Sequence, residues 1–293
     1  MILNVSGRTD VVAFYTPWFI KRYEEGFVDV RNPFYKKLVN RIYFDDVDAI
    51  VFCTKNPIPI INYLEKIDKP IIFHVTLTPY KRDLEPNVPP KGTIINAIKK
   101  ISKIIGSENT FVRYDPIIIN NRYDVNYHIK ALDNLCNKLN GYVKHIIVSF
   151  VDDYKNVRNN SKVLNLKELN EKDYKKIGIN FSSSAKSNGI SVQTCAEDRN
   201  LAEYGFKKED CVSHSLIFRL TGKTGFTTWR ERSCKCVSMV DIGSYNSCSH
   251  FCKYCYANYD ESKVKNNVKM HDKNSTLLIG EIDLEDVIKV RKK

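Results

Sequence analysis

Cys248, Cys252 and Cys255 fall in the run Cys-Ser-His-Phe-Cys-Lys-Tyr-Cys-Tyr, a C-x3-C-x2-C spacing with an aromatic residue, Tyr254, before the last cysteine. Three thiolates on one tight loop can hold three irons of a [4Fe-4S] cubane and leave the fourth iron open. An open iron lets a cluster bind and cleave a substrate instead of only passing an electron, by the logic that separates open catalytic zinc sites from closed structural ones. Four more cysteines need an account: Cys195, Cys211, Cys234 and Cys236. Four thiolates complete a closed site, either a second Fe–S cluster or a structural zinc, and the cluster is the preferred expectation. Cys53 within a strand and Cys136 on a helix read as small buried hydrophobes. His250, inside the loop, reads as an exposed loop residue with metal ligation as the alternative, and His74 as core or substrate-facing.

Composition sets the compartment and the partners. The start, Met-Ile-Leu-Asn-Val-Ser-Gly-Arg, lacks the basic end and apolar stretch of a signal peptide. No apolar run approaches the roughly 18 residues of a membrane span. A cytoplasmic protein without a membrane partner is expected, and reducing thiol pools then keep its nine cysteines out of disulfides. Five of them lie between Cys234 and Cys255, which points to metal. The net charge of +12 leaves nucleic acid open as a partner. Against that, no dense basic block and no aromatic–basic alternation is evident, and lysines spread over solvated faces give the same total.

The elements that must position these residues alternate between short β-branched runs and longer amphipathic ones, the pattern of βα units around a parallel sheet. Candidate strands are Ile2–Ser6, Ala49–Thr54, Ile71–Leu77, Thr110–Tyr114, His145–Phe150, Ile190–Thr194, Ser215–Leu220 and Ser238–Ile242. Most are almost wholly apolar, as strands buried on both faces should be. Helices are expected from Asp10 to about Tyr23, from Lys91 to Ile105, from Asp124 or Asn126 to Leu139 and from Leu166 to Ser187. A short final helix is capped by Asp283, with Leu284, Val287 and Ile288 inward. About eight strands in 293 residues make a TIM-like (β/α) barrel the leading architecture and a partial barrel the second. One domain is expected over 1–293, of which 206–262 is a cysteine-rich, Fe–S-binding segment. The Pro-rich stretch 79–92 is a loop long enough to contact ligands.

Polar residues gather where the apolar strands end, which in parallel barrels is the catalytic edge. Ser6, Arg8 and Asp10 follow the first strand, Lys55 the second, Arg113 and Asp115 the fourth, and Glu197 follows Thr194-Cys195. Turn chemistry explains any one of these. Their joint occurrence suits a pocket for a small zwitterionic cofactor and a polar substrate.

The chain resembles a microbial family described as a domain of unknown function, whose C-terminal cysteines are similar to the N-terminal cluster motif of radical S-adenosylmethionine (SAM) enzymes. The likeness rests on Ser6-Gly7-Arg8-Thr9-Asp10, Arg31-Asn32-Pro33-Phe34, Thr54-Lys55-Asn56-Pro57, Arg113-Tyr114-Asp115-Pro116, Thr194-Cys195-Ala196-Glu197, Cys234-Lys235-Cys236 and Asp241-Ile242-Gly243 before the cysteine loop. In radical SAM barrels the cluster loop follows the first strand; here it follows the last, as in a circular permutation. The resemblance implies a [4Fe-4S] cluster on Cys248, Cys252 and Cys255, SAM on its open iron, Tyr254 near the adenine, and a 5′-deoxyadenosyl radical acting on an unknown substrate. It implies an electron donor such as flavodoxin or ferredoxin. Ser6, Lys55 and Glu197 are expected to help bind the cofactor, and Arg8, Asp10, Arg113 and Asp115 to serve the reaction. Ser6-Gly7-Arg8 would occupy the place of the Gly-Gly-Glu segment of radical SAM enzymes, and no acid stands there until Asp10. Two rival functions share the cysteines: a zinc- or Fe–S-containing nucleic-acid-binding protein, and an Fe–S redox enzyme without SAM.

Overall fold

A computed structural model describes the chain except for Ala196, Asp198, Asn200, residues 230–233 and Lys293. The described residues form the strands β1 (Ile2–Asn4), β2 (Phe27–Arg31), β3 (Leu38–Tyr43), β4 (Ala49–Thr54), β5 (Ile71–Thr76), β6 (Thr110–Ile117), β7 (His145–Phe150), β8 (Ser191–Thr194), β9 (Met239–Asp241) and β10 (Val287–Val290). Seven of them form one parallel sheet in the order β8-β7-β6-β5-β4-β1-β9. The α/β class is therefore as the sequence predicts, whereas a closed barrel is not seen among the described residues. Among the described residues no ladder joins the sheet's edge strands β8 and β9.

The seam between those edges is filled by the segment that connects them. Lys207 N donates to Val192 O at 2.8 Å, and Gln193 Nε2 to Glu209 O at 2.9 Å, so polar groups along β8 are met by 207–209. Val237 N donates to Val212 O at 3.0 Å on the way into β9. Within this segment lies the expected strand Ser215–Leu220, which is instead a helix, His214–Thr221. Ser213 Oγ caps it by accepting from Leu216 N at 3.1 Å, and Gly222 ends it at φ 66°. Its apolar positions, Leu216, Ile217 and Leu220, fit a helical face as well as a short strand, so periodicity alone could not decide.

Strand period then sorts the two faces of the sheet. Leu3, Phe52, Phe73, Val75, Val112, Ile146 and Val148 belong to the large core shared with the outer helices. Ile2, Ala49, Val51, Ile72, Phe111 and Ile147 face the other way and pack on Val212, Ile217 and Val237 of the seam segment. Two residues further along the same face come Asn4, Cys53, His74, Arg113 and Ser149. The inner face thus changes from apolar to polar toward the C-terminal edge.

The outer helices agree with the sequence over Lys91–Ile105 and Val125–Leu139, the latter capped by Asp124. The first helical stretch is two helices, Val11–Phe14 and Thr16–Glu24, parted at Tyr15. The long one starts at Glu171 and not at Leu166, because Asn170 and Asp173 form a capping box there. The C-terminal end corrects the expected helix after Asp283. Val287–Val290 is a strand, β10, paired parallel to β3 in a second sheet of order β10-β3-β2. Leu284 is fully exposed and Val287 and Ile288 are exposed. An open edge on β3 gives this β-branched run ladder partners that an isolated short helix could not match.

Candidate active site

The cysteine loop follows β9 directly, so it lies at the C-terminal edge of the parallel sheet. Gly7, after β1, permits that crossing: a Cβ there would stand 2.0 Å from Asp241 Oδ2. Asn246 (φ 52°) and Phe251 (φ 54°) adopt left-handed backbone and fold the loop back on itself. For a bulky residue such as Phe251 that conformation costs about 1–3 kcal/mol and persists only where neighbours fix it. Those neighbours are present. Cys248 N donates to Asn258 Oδ1 at 3.4 Å, and Asn258 Nδ2 donates back to Cys248 O at 2.5 Å. Tyr15 OH donates to Ser247 O at 2.6 Å, Asn87 Nδ2 to Ser249 O at 2.8 Å, and Lys253 N to Leu84 O at 3.0 Å. The loop is clamped by the segments after β1 and β5, the latter being the Pro-rich stretch.

Cys248 and Cys252 are buried and Cys255 is half-buried. Burial pushes all three thiols up, and Cys248 is raised further by Asp10 and by its two partners, which places the three within electrostatic reach of one another. Ala257 N points at Cys255 Sγ from 3.4 Å. Among the described residues no three or more His, Cys, Asp or Glu side chains form the donor set of a single ion. A cubane spreads its thiolates over separate irons and requires no such single-ion set. The chemistry of the surroundings bears on its fit. A cluster with thiolate ligands is anionic, and cations stand beside these thiols: Lys55 pulls down on Cys252 and Cys255, and Lys91 on Cys252. These residues fit the group.

His250 corrects the expectation of an exposed loop residue. It is 2% exposed, with Nε2 3.0 Å from Asp10 Oδ2 and Nδ1 3.3 Å from Asn87 O. Each ring nitrogen therefore faces an oxygen, one on the helix cap and one on the Pro-rich stretch. Asp10 also accepts from Ala13 N and Lys55 N, so it caps a helix, orders the turn after β4 and anchors the loop at once.

Tyr254 lies in a buried network, not on an open wall. Its OH donates to Glu85, and Lys55 Nζ reaches both Tyr254 OH at 2.9 Å and Glu85 Oε1 at 2.8 Å. Thr78 and Lys91 also bond Glu85. Burial works against the charge on Glu85, but Lys55 and Lys91 outweigh it and hold the carboxyl at about 2. Burial likewise opposes the charge on Lys55, and Glu85 more than restores it. Glu85 carries this network and was not singled out from sequence; the only signal was its place in the Pro-rich loop.

The remaining strand-end residues divide. Arg113 Nε bonds Asp115 Oδ2 at 3.0 Å, and Ser149 Oγ donates to Asp115 Oδ1. A register shift between Tyr114 and Ile117 at the edge of β6 sets off Asp115. Asp115 is within the electrostatic reach of Lys55 on one side, and Arg113 of Cys195 and Cys211 on the other. Glu197 accepts from Phe150 N at 2.8 Å; burial, then Asp152 and Asp115, push its carboxyl up to about 7. Ser6 Oγ accepts from Val11 N at the start of a helix. Arg8 is turned elsewhere, onto Asp241, with Nε to Oδ1 at 2.9 Å.

The second cysteine set meets at the seam. Cys211 Sγ lies 3.6 Å from Cys195 Sγ and 3.3 Å from Cys236 Sγ. Sulfurs on a tetrahedral ion with bonds of about 2.3 Å sit about 3.8 Å apart. Cys234, half-buried, packs against the same cluster that holds Cys211 and Cys236. Cys53 Sγ is 3.7 Å from His74 Nδ1, and His74 is buried on the inner face, where burial and then Arg113 lower its imidazole to about 3.

The model of the family described as a domain of unknown function, DUF1848, matches residues 2–257, and the chain belongs to that family. No curated protein matches it. No described helix is long and apolar enough to cross a membrane.

Proposed function

Taking membership in the DUF1848 family as the premise, we propose that this protein is a radical SAM enzyme with its [4Fe-4S] cluster on Cys248, Cys252 and Cys255. The observation that carries the reading is the placement of this C-x3-C-x2-C loop: two buried thiols and a half-buried one at the C-terminal edge of a parallel sheet, beside Lys55, Lys91 and His250. Strand order favours the permuted architecture. Counted from β9, the sheet runs β9-β1-β4-β5-β6-β7-β8, so the strand that feeds the loop becomes the first of a sequential series, as in an open radical SAM barrel.

When bound, such a cluster supplies one electron that splits the sulfonium of SAM and yields a 5′-deoxyadenosyl radical to take hydrogen from substrate. The chain's own part is positioning and exclusion. Lys55 and Lys91 offset the cluster's negative charge, with Glu85 fixing both ammonium groups. Asp10 and His250 lock the loop to β1, and Tyr254 ties it to the turn after β4. Arg113, Asp115 and Ser149, at the polar end of the inner face, would orient amino, carboxylate or hydroxyl groups of SAM or substrate by charge-assisted hydrogen bonds. Glu197, held near neutral pH, could exchange a proton there. A low-potential donor such as flavodoxin or ferredoxin would supply the electron.

Anaerobically purified protein should be brown and should release 5′-deoxyadenosine when given SAM and reductant. Cys248→Ala, Cys252→Ala and Cys255→Ala together should abolish that release and remove one cubane's iron. Full iron content in that variant, or no SAM cleavage by an iron-loaded parent, sinks the assignment. The seam contacts favour an auxiliary centre as an addition, Fe–S before zinc, with Cys234 as the fourth donor to Cys195, Cys211 and Cys236. Stoichiometric zinc beside a single cubane's iron would settle that choice for zinc.

A further inference from the structure

Beside β9 and the second sheet lies a cavity of about 350 Å³, within the range of small-molecule sites. Four aromatic rings line it, Phe34, Trp229, Tyr245 and Tyr256, and so do three arginines, Arg8, Arg31 and Arg291. We propose that this cavity binds a nucleotide, with the base stacked on the aromatic rings and the phosphate toward the arginines.

The β2–β3 loop is built to present rings. Phe34 is 85% exposed and the adjacent Tyr35 71%, a concentration of apolar surface that marks interaction sites. Their backbone is fixed in advance. Asn32 Oδ1 accepts from Phe34 N at 2.8 Å and Tyr35 N at 3.0 Å, and Arg31 donates to Lys36 O at 2.5 Å. Rings held this way lose little freedom when a planar ligand stacks on them.

Charge selects an anion. Arg8 is neutralised by Asp241 and Arg31 by Asp286, whereas Arg291 has no carboxylate partner among the described residues. Lys36, next to Tyr35, adds an exposed cation that is likewise unpaired there. Arginine and aromatic rings together are the combination that holds nucleotides by stacking and phosphate contact. The chain's +12 charge would favour the approach of any such anion.

Asn4 and Asp241 add polar side chains to the lining. A base and its phosphate belong equally to a free nucleotide or to one residue of a single strand. Tyr256 follows Cys255 directly and its OH donates to Gly7 O, so the cavity shares a wall with the cysteine loop.

Trp229 supplies the readout, since the other tryptophan, Trp18, is fully buried. Anaerobically purified full-length protein would be titrated with AMP, GMP, CMP and UMP and with a single-stranded RNA oligonucleotide while tryptophan fluorescence is followed. A saturable change is expected. Tighter binding of the oligonucleotide would assign a strand, and equal binding a free nucleotide. Phe34→Ala and Arg291→Ala should each weaken binding about fivefold or more, the size of one lost stacking or phosphate contact, with thermal melting unchanged. The inference is overturned by no saturable change, by parent affinity in both variants, or by displacement of the nucleotide by SAM, which would make the cavity the cofactor's. Binding is read without SAM cleavage, so its failure and that of the radical assignment are separate results.

Discussion

Cys248, Cys252 and Cys255 reach one another along one short run of chain, whereas Cys195, Cys211 and Cys236 are gathered from three separate segments at the seam of the sheet. Both sets are largely buried, yet their surroundings differ. The loop thiols face Lys55 and Lys91, with Glu85 holding those charges in place. The seam thiols face one another: the contact with Cys211, then burial, raises Cys195, and Arg113 is the cation that opposes the rise. A ligand set made by local sequence comes with its own counter-charges only if the fold delivers them. One made by topology exists only if the fold brings two strand edges together.

The largest effect should come from emptying one set at a time. The triple loop variant should lose all SAM cleavage, while Cys195→Ser, Cys211→Ser and Cys236→Ser together should keep the cubane's iron and lose any second metal. Metal analysis and electron paramagnetic resonance on both variants check this. If either triple change strips all the iron, the two sets are not independent and the comparison fails.

Next in size is the charge balance that distinguishes the loop. Glu85→Gln leaves two largely buried ammonium groups without their carboxylate, a change that costs about 3–5 kcal/mol where a buried pair is broken. Denaturant unfolding measures it. The pH dependence follows from the same group. Its carboxyl lies at about 2 in the folded chain against 4.5 ordinarily, so the unfolded state binds the proton first. The stabilisation is complete above about pH 4.5 and is lost as pH falls toward about 2. In Glu85→Gln that part of the acid limb should flatten.

How far the sequence went follows the same divide between local and gathered features. Strands such as Ala49–Thr54 and His145–Phe150 have their observed bounds because a mostly apolar, β-branched run has few alternatives in a parallel sheet. The loop cysteines are legible from spacing alone. Glu85 is not, since its role depends on Lys55 and Lys91 arriving from other segments. His250 was misjudged as exposed because its partner Asp10 is distant in sequence and adjacent in space. Ser215–Leu220 and the residues after Asp283 went wrong in opposite directions: short amphipathic runs whose outcome depends on whether a strand edge is free beside them. Phe34 enters the sequence reading only within the motif Arg31-Asn32-Pro33-Phe34 and Tyr35 not at all, because exposure cannot be read from two aromatic letters.

The smallest expected change, and the one that tests what lies between the two sets, is Asp115→Asn. Asp115 feels Lys55 on the loop side, while its partner Arg113 feels Cys195 and Cys211 on the seam side. Asparagine keeps the shape and one acceptor for Ser149 but removes the charge that Arg113 answers. Loss of a charge-assisted bond of this kind costs about 1–3 kcal/mol of stability, which a folded chain absorbs without giving up either metal. Iron content should stay near the parent's. If the polar end of the inner face orients SAM or substrate, SAM cleavage should nonetheless fall about tenfold or more, the equivalent of about 1.4 kcal/mol in the transition state. Arg158→Ala is the control. Arg158 and Asp153 form an exposed pair at 2.7 Å on the surface, of the kind worth about 0–1 kcal/mol, and its loss should leave SAM cleavage alone. A parent rate in Asp115→Asn would reduce Arg113 and Asp115 to a similarly idle pair, and would leave the space between the two thiol sets without a catalytic role.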